Sequence, residues 1–411
     1  MNLRMPDLST TGSPIKVVRW LVSVGDFVER GQAVLEVETD KATMEVEALN
    51  SGNLLQQVVP VGDEACAGEV LAVIGDPAEA GHPVERASLA KPVPNRDFLL
   101  SLFERMLLIR MFEDRVKQLF LEGTMPGTIH QCQGQEATAV GVCAALNAND
   151  FITSTFRGHG HALAKGLSVQ EMLDELFGAA TGCCHGKGGS MHMGNFAKGM
   201  IPGIAIVAGG IPVATGIALA FKLQKTQQMV ACFFGDGAVA EGAFHEGLNM
   251  AALWNLPVLF VCENNLYGAS TRIDQVMRNT RISDRAAGYG FRGETVDGND
   301  VLAVYEAASR AVEECRTDLG PVLLELLTYR RTGHSRRDPC YYQPKEERLA
   351  WSVNDPIIRF AEVLLANGNA NQADLDRLQE RIAGEIEAAV EQAEIAPQPA
   401  LSDLLTDVYA S

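Results

Sequence analysis

Long apolar runs are missing from this 411-residue sequence. Charged or glycine residues interrupt every candidate, so no segment reaches the roughly 18 apolar residues that suggest a membrane-spanning helix. The first residues, MNLRMPDLSTTG, lack the basic and apolar regions of a secretory signal, which predicts a cytoplasmic protein. Basic residues are few, because 34 Lys and Arg stand against 52 Asp and Glu, for a net charge of −18. This imbalance argues against nucleic acid or an anionic membrane as a partner, since both select basic patches.

Paired cysteine spacing is absent as well. The nine cysteines are scattered, and several, such as Cys143, Cys232 and Cys262, fall in apolar runs. In a cytoplasmic protein this predicts reduced and mostly buried thiols. The composition, 47% apolar and 21% charged, is that of a globular protein, and the length suffices for two or three domains.

Residues 1–75 contain an internal repeat, in which VSVGDFVERGQAVLEV is followed by VPVGDEACAGEVLAVI. The corresponding positions are Gly25 and Gly62, Asp26 and Asp63, and Gly31 and Gly68. Short valine-rich strands broken by Gly-Asp turns are typical of small antiparallel sheets. Two similar halves predict an all-β flattened sandwich with a pseudo-twofold axis. The segment ETDKATMEV lies between the copies, so we expect a hairpin there with Asp40 and Lys41 at its tip.

The rest of the chain predicts a linker and a larger α/β domain. Residues 76–96 are rich in Pro and Ala without a period, which indicates a semi-extended linker. In residues 97–411, apolar residues at helical spacing predict a helix over 98–120. The apolar runs MVACFF, PVLFVC and VLLELL alternate with helical segments, which predicts a parallel sheet covered on both faces. The charged helical tail, 355–395, is expected to pack on a partner.

Polar residues follow two of these predicted strands. The strand in FFGDGAVAEG runs into Gly235, Asp236 and Gly237, and the strand in LFVCENNLYG runs into Asn265. In a right-handed βαβ unit both strand ends open on the same edge of the sheet, where ligands bind. Glycines there let backbone N–H groups approach a phosphate. One carboxylate with amide and carbonyl oxygens suits magnesium that is also held by phosphates.

These residues carry a family resemblance. The pair of GDG and, about thirty residues later, NN resembles the diphosphate–magnesium motif of thiamine diphosphate enzymes. Across residues 98–350 the chain resembles the alpha subunit of pyruvate and acetoin dehydrogenase complexes. The strings that support this are GTIHQCQGQEA, TSTFRGHGHALAKG, GKGGSMHM, GDGAVAEGAFHEGLNMAALWNLPVLFVCENNLYG and YRRTGHS.

The resemblance implies a role for each member of a set of cofactor-binding residues. It implies that Asp236 and Asn265 bind magnesium through side chains, and Tyr267 through its carbonyl. The positions that it assigns to the thiamine diphosphate itself are Phe156 and Arg157 beside the diphosphate, Gly237 and Ala238 through their backbone, and Ala205 and Val207 at the aminopyrimidine ring. Arginine suits a diphosphate because its planar fork contacts two oxygens.

Two histidines match the substrate side of the family. His130 and His334 are expected to orient the donor and move protons, by switching charge near pH 7, and His334 also contacts the cofactor. Three positions depart from the family pattern. Phe156 replaces a tyrosine, Ala240 an asparagine and Thr332 a histidine, which leaves the substrate-side detail open.

The resemblance also implies partners. Thiamine diphosphate enzymes use two α/β domains, and this chain contains one. The glutamate that activates the ring should therefore come from a separate beta subunit, in an assembly of two alpha and two beta chains. Acyltransferase and dihydrolipoamide dehydrogenase components are the further partners implied.

The hairpin motif ETDKA resembles that of a lipoyl domain, with Lys41 the lipoylated residue. A biotin carrier typically has MKM at its lysine, whereas Ala42 follows here. The combined resemblance implies that a two-carbon unit from pyruvate or acetoin reductively acetylates a lipoyl group, the one on Lys41 being the first candidate. A branched-chain 2-oxo acid as donor, and an inactive lipoyl carrier or scaffold, stay open as alternatives.

Overall fold

The computed structural model describes residues 2–6, 15–39, 42–65, 69–75, 95–317 and 320–406. The chain divides into two compact units, Met1–Val93 and Pro94–Ser411. The predicted linker falls almost wholly on residues 76–94, which lie outside the described ranges, so the exact domain limits stay a prediction. No helix in the described ranges is long and apolar enough to cross a membrane.

The described residues of the N-terminal unit contain eight strands. Their bounds are β1 Asn2–Arg4, β2 Ile15–Trp20, β3 Phe27–Val28, β4 Ala33–Glu38, β5 Thr43–Glu47, β6 Gly52–Gln57, β7 Glu64–Ala65 and β8 Val70–Gly75. They form two antiparallel four-stranded sheets, ordered β1-β8-β6-β3 and β5-β4-β2-β7. Buried Val, Leu and Ile side chains form one core in this unit.

The repeat explains this topology. Each copy begins with a turn at a glycine in the left-handed region, Gly25 or Gly62, which other residues adopt at a cost. Each turn leads into a two-residue strand, β3 or β7, and then a six-residue strand, β4 or β8, of the other sheet. The predicted flattened sandwich of two related halves is therefore confirmed.

Strands β4 and β5 form the expected hairpin, with Glu38 paired to Thr43. The turn is closed by Thr39, whose backbone N–H donates to the carbonyl of Ala42 at 3.0 Å. Asp40 and Lys41, on which the lipoylation prediction falls, lie outside the described residues.

The second unit contains the α/β domain. Its helices are α1 Arg96–Glu122, α2 Glu136–Ala145, α3 His159–Lys165, α4 Val169–Leu176, α5 Gly210–Gln224, α6 Gly242–Leu253, α7 Val301–Arg316, α8 Lys345–Val353, α9 Pro356–Ala366 and α10 Gln372–Glu394. Its strands are β9 Phe151–Thr153, β10 Val230–Gly235, β11 Val258–Asn264, β12 Tyr267–Gly268, β13 Thr271–Arg272, β14 Arg292–Asp297 and β15 Val322–Leu327. Five of these form one parallel sheet in the order β14-β15-β11-β10-β9, as predicted.

The sheet is covered on both faces because its central strands are apolar on both sides. Phe233 and Val261 point into the core formed with α1, α2 and α7, whereas Phe234 and Phe260 point into the core formed with α5 and α6. Side chains that alternate along a strand face opposite sides of its sheet, so continuous apolar runs such as VACFF fill both layers. The cysteines of the described residues are free thiols, which fits the predicted absence of disulfides.

The tail differs from expectation. Helices α9 and α10 pack on the domain itself, where α10 contacts α1 and α4. Its buried face includes Leu375, Ile382, Ile386 and Val390, spaced four or seven residues apart. The prediction that the tail packs on a partner is therefore wrong for this stripe, which is used within the chain.

Candidate active site

The two predicted strand ends meet at the carboxyl edge of the sheet. β10 and β11 are paired in parallel register, with Gly235 opposite Glu263. Asp236 begins a short 3-10 turn after β10, and Asn265 follows β11 directly. The two loops lie so close that a Cβ on Gly237 would sit 3.2 Å from the Cα of Gly268. The polar residues that follow the two strands therefore lie together, as the βαβ argument requires.

A cavity of about 570 Å³ opens at this edge. It is lined by all the predicted cofactor, metal and catalytic residues of the described ranges: His130, Phe156, Arg157, Ala205, Val207, Asp236, Gly237, Ala238, Asn265, Tyr267 and His334. The sequence prediction that these residues share one site thus agrees with the geometry, while the role of each stays a prediction.

Asp236, which directly follows β10, is a deeply buried carboxylate. It is 2% exposed, and burial raises its pKa to about 6. Backbone hydrogen bonds of Asp236 and Asn265 and the charges of Arg330 and Arg157 lower this pKa, but by less than burial raises it. A buried carboxylate without an adjacent cation is costly, so a cation bound at this point would relieve the cost. The side chain of Asn265 lines the same cavity, with Nδ2 donating to Gln135 Oε1 at 3.1 Å and Oδ1 accepting the N–H of Tyr267 at 3.3 Å.

Two buried arginines face the same cavity. Arg157 donates to the carbonyls of Gln131 at 2.5 Å and of His334 at 3.0 Å, and Arg330 donates to the carbonyl of Ala269 at 2.9 Å. Neither forms an ion pair with a carboxylate among the described residues. Burial and the neighbouring charge of Arg330 lower the pKa of Arg157 to about 10, so Arg157 remains a cation near pH 7.

This set of donors fits a diphosphate with magnesium. Two uncompensated guanidinium groups provide positive charge for phosphate oxygens, and Asp236 with Asn265 provides oxygen ligands for the metal. The glycine before Asp236 leaves room for the cofactor, since a Cβ on Gly235 would meet nothing within 4 Å. The chemistry of the side chains therefore agrees with the cofactor that the sequence predicts.

The ring-binding positions lie on the loop before α5. Ala205 and Val207 line the cavity within a segment held by Ile204, whose N–H donates to the carbonyl of Ser154 at 3.0 Å. Ala208 has a φ of 61°, which turns the chain sharply after these positions. The loop thus brings Ala205 and Val207 to the wall of the cavity.

The two histidines lie together on the other side. Their ring centroids are 5.2 Å apart, and the ring of Phe156 contacts both, at 4.8 Å from His130 and 5.5 Å from His334. Burial, followed by the charge of Arg157, lowers the pKa of each histidine to about 4. The prediction that these histidines switch charge near pH 7 is therefore not supported, because with these pKa values both rings are neutral at that pH. The Nδ1 atom of each ring is buried without a partner, so each is available to a bound molecule.

The departures from the family pattern have visible consequences. Phe156 presents a ring to the two histidines and to Arg157, whose guanidinium carbon lies 5.7 Å from the ring centroid. The hydroxyl of Thr332 is buried without a partner, and Ala240 lines the cavity. Each departure thus removes a polar group from the site or leaves one unused.

Sequence reasoning missed Arg330. This side chain is 1% exposed and lines the cavity, and its guanidinium also donates to the hydroxyl of Tyr342 at 2.7 Å. Its position two residues beyond Thr328, at the end of β15, is the signal that could have found it, because β15 is the parallel neighbour of β11.

The architecture and the site define a class: a small β-sandwich module fused to a parallel α/β domain with a diphosphate-type site at its carboxyl edge. Comparison with known families agrees. Residues 104–402 match the family described as "Dehydrogenase E1 component", and residues 1–74 match the family described as "Biotin-requiring enzyme". The chain belongs to the dehydrogenase E1 component family and carries an N-terminal domain of the biotin/lipoyl type.

Similar proteins bear related names. The chain is 49% identical, over 313 residues, to the alpha subunit of acetoin:2,6-dichlorophenolindophenol oxidoreductase of Bacillus subtilis (strain 168), a match of 76% of this chain and 93% of that protein. It is 41% identical over 319 residues to the pyruvate dehydrogenase E1 component subunit alpha of Porphyra purpurea, again 76% and 93%. The family implies thiamine diphosphate as cofactor and an oxidoreductase activity, and the N-terminal domain implies lipoate.

Proposed function

We propose that this chain is the alpha subunit of a thiamine diphosphate-dependent component that cleaves acetoin or pyruvate and reductively acetylates a lipoyl group. The observation that carries the proposal is the cavity that Asp236 and Asn265 line together with Arg157 and Arg330, two arginines that form no ion pair among the described residues. This arrangement combines a metal site with a diphosphate site.

The cofactor would be held as the residues suggest. Asp236, Asn265 and the carbonyl of Tyr267 would bind magnesium, and Arg157 with the backbone of Gly237 and Ala238 would bind the diphosphate. The backbone at Ala205 and Val207 would hold the aminopyrimidine ring. When bound, thiamine diphosphate would supply a nucleophilic carbon that can add to the carbonyl carbon of the donor. Everything else that the reaction needs on this side of the cavity comes from the chain.

The residues of the chain that act on the donor are His130 and His334. As neutral imidazoles they can accept or donate a hydrogen bond at the donor's oxygen, and their unpartnered Nδ1 atoms supply that capacity. The ring of Phe156 contacts both imidazole rings and helps to fix their orientation. The leaving group is carbon dioxide from pyruvate or acetaldehyde from acetoin, and the acetyl unit passes to the lipoyl group.

The proposed partners follow from the number of α/β domains. The described residues form one parallel sheet of this kind, so the glutamate that activates the cofactor would come from a beta subunit, in an assembly of two alpha and two beta chains. The apolar side chains of Ile206 and Val276, 78% and 60% exposed, line the cavity and suit a covering subunit. The names of the similar proteins, which are alpha subunits, agree. Acyltransferase and dihydrolipoamide dehydrogenase components in the cytoplasm complete the proposal.

Lys41 is proposed as the attachment point of lipoate. The support is the match of residues 1–74 and the hairpin of β4 and β5, which brackets this residue in the sequence. Replacing Lys41 by Ala, with the separate acyltransferase unchanged, is expected to lower the overall flux to coenzyme A product while the reduction of an artificial acceptor stays the same. Lys16→Ala, in β2 of the same domain, serves as the control. Undiminished overall flux would show that another lipoyl group is used.

The donor is decided by a direct comparison. The chain, purified with its beta subunit, is assayed with acetoin, pyruvate and branched-chain 2-oxo acids and 2,6-dichlorophenolindophenol as acceptor. The identity of 49% to an acetoin enzyme favours acetoin over pyruvate, for which 41% is found. Turnover with only branched-chain acids would contradict the two-carbon assignment. Absence of turnover together with absence of thiamine diphosphate binding would favour the remaining candidate, a lipoyl carrier or scaffold.

A further inference from the structure

Glu113 is a fully buried carboxylate on α1 that the proposed reaction does not use. Its Oε1 accepts the N–H of Cys132 at 2.9 Å, and its Oε2 lies 3.2 Å from Nδ1 of His159. The other ring nitrogen of His159 lies 2.9 Å from the hydroxyl of Ser190. Burial raises the pKa of Glu113, but the interactions with His159 and Cys132 outweigh it and hold the pKa below its ordinary value. An ionised carboxylate is therefore fixed at the meeting point of three segments.

Each of these three segments supplies a residue that lines the cavity. His130 lies two residues before Cys132, Arg157 lies two residues before His159, and Met191 directly follows Ser190. The contacts of Glu113 lie one layer behind the cavity wall, since Glu113 does not line the cavity itself. A shift of this carboxylate would consequently move several parts of the wall together.

The connection to Arg157 is direct. Arg157 donates to the carbonyl of Gln131 at 2.5 Å, and the side-chain amide of Gln131 donates to the backbone carbonyl of Glu113 at 2.7 Å. The segment has little room to shift, because a Cβ on Gly160 would lie 2.9 Å from the sulfur of Cys132. The residue that supplies the acceptor for Arg157 is thus held by the backbone carbonyl of Glu113, and the N–H of the next residue, Cys132, is held by the carboxylate of Glu113.

We propose that Glu113 is a positioning residue that, paired with His159, fixes the segment 130–132 and thereby sets both His130 and Arg157. This inference rests on the proposed function, in which Arg157 binds diphosphate and His130 faces the donor. Loss of the carboxylate charge leaves His159 without its partner and frees the segment, so it weakens the diphosphate and the donor sites at once.

The test is a titration of thiamine diphosphate, with magnesium, into the chain assembled with its beta subunit. Glu113→Gln is expected to raise the dissociation constant at least tenfold and to raise the donor KM, at a temperature where the variant is folded. Asp150→Asn is the matched control, because Asp150 is also fully buried and ion-paired, with Arg316, but precedes β9 at the opposite end of the parallel sheet. It is expected to lower the melting temperature and to leave the dissociation constant within twofold.

A double variant separates positioning from general damage. If Glu113 acts through His159, the dissociation constant of thiamine diphosphate for Glu113→Gln/His159→Gln is within threefold of that for His159→Gln alone. The reason is that either substitution already breaks the same pair. Equal losses of affinity in Glu113→Gln and Asp150→Asn, or single effects that simply multiply, would overturn the inference. Wild-type binding in the same titration keeps the proposed function; its absence would overturn that function and the inference with it.

Discussion

Replacing Asp236 by asparagine is expected to stabilise the cofactor-free protein and to abolish its response to magnesium. Burial raises the pKa of this carboxyl from the ordinary 3.8 to about 6. Each tenfold change in a protonation equilibrium is worth about 1.4 kcal/mol, so ionisation costs the folded protein about 3 kcal/mol at neutral pH. Because the folded pKa is the higher one, the cost is absent below about pH 4, grows as the pH rises and is complete above about pH 6. Asparagine has a neutral amide of nearly the same shape as the carboxyl group, so the Asp236→Asn substitution removes this cost of ionisation.

The assay is thermal unfolding of the assembly of alpha and beta chains at pH 7.5, first without ligands. At roughly 2 °C for each kcal/mol, the variant is expected to melt up to about 6 °C above the wild type. Asp284→Asn, whose side chain is 50% exposed, is the control and should leave the melting temperature unchanged. Thiamine diphosphate with magnesium should then raise the melting temperature of the wild type and of the control, but not that of Asp236→Asn.

Either of two results would refute this reasoning. The first is an Asp236→Asn assembly that melts below the wild type without ligands, which would mean that the carboxylate already has a stabilising partner. The second is equal stabilisation of the variant and the wild type by magnesium and thiamine diphosphate, which would place the metal elsewhere.

Two further predictions concern the other side of the cavity. Burial lowers the pKa of His130 and His334 to about 4, so the unfolded chain binds more protons between about pH 6.5 and 4, and stability is expected to fall as the pH drops through that window. Urea unfolding midpoints at pH 7 and pH 5 measure this, and equal pH dependence in the His130→Gln/His334→Gln variant would contradict it. Arg330→Gln is expected to weaken thiamine diphosphate binding about tenfold, since a charged donor is worth roughly 1.5 kcal/mol or more. Arg292→Gln, which removes a half-buried arginine ion-paired to Glu314, is the control and should bind as the wild type does.

The fold was predictable because its determinants are local. The apolar runs that became β10, β11 and β15 are buried along nearly their whole length, and such runs fit only strands covered on both faces. The repeated Gly-Asp turns predicted the two-sheet module for a similar reason. Each turn needs a left-handed backbone at one position, and Gly25 and Gly62 meet that need locally.

What the sequence did not predict depends on distant contacts. The charges on α10 suggested a partner, but the contacts of its apolar stripe with α1 and α4 join segments more than two hundred residues apart. The lowered pKa of the two histidines has the same origin, because Arg157 and the cavity wall come from other segments. Arg330 was missed because one arginine in the string YRRTGHS carries no signal of burial.

The site residues were found together because each follows a strand or loop at one sheet edge. Asp236 and Asn265 could be paired from the order of strand, helix and strand, without knowledge of distances. Glu113 could not be found in this way, since His159 is brought to it only by the packing of α1 against α3, and Cys132 by the loop before α2.

The central claim is that this chain binds the diphosphate of thiamine diphosphate through a metal held at Asp236 and Asn265. Isothermal titration calorimetry of thiamine diphosphate into the assembly of alpha and beta chains, in magnesium and again in excess chelator, tests it most directly. The account predicts one cofactor bound for each alpha chain in magnesium, with binding lost in chelator and in Asp236→Asn. Binding of equal affinity in all three conditions would contradict it.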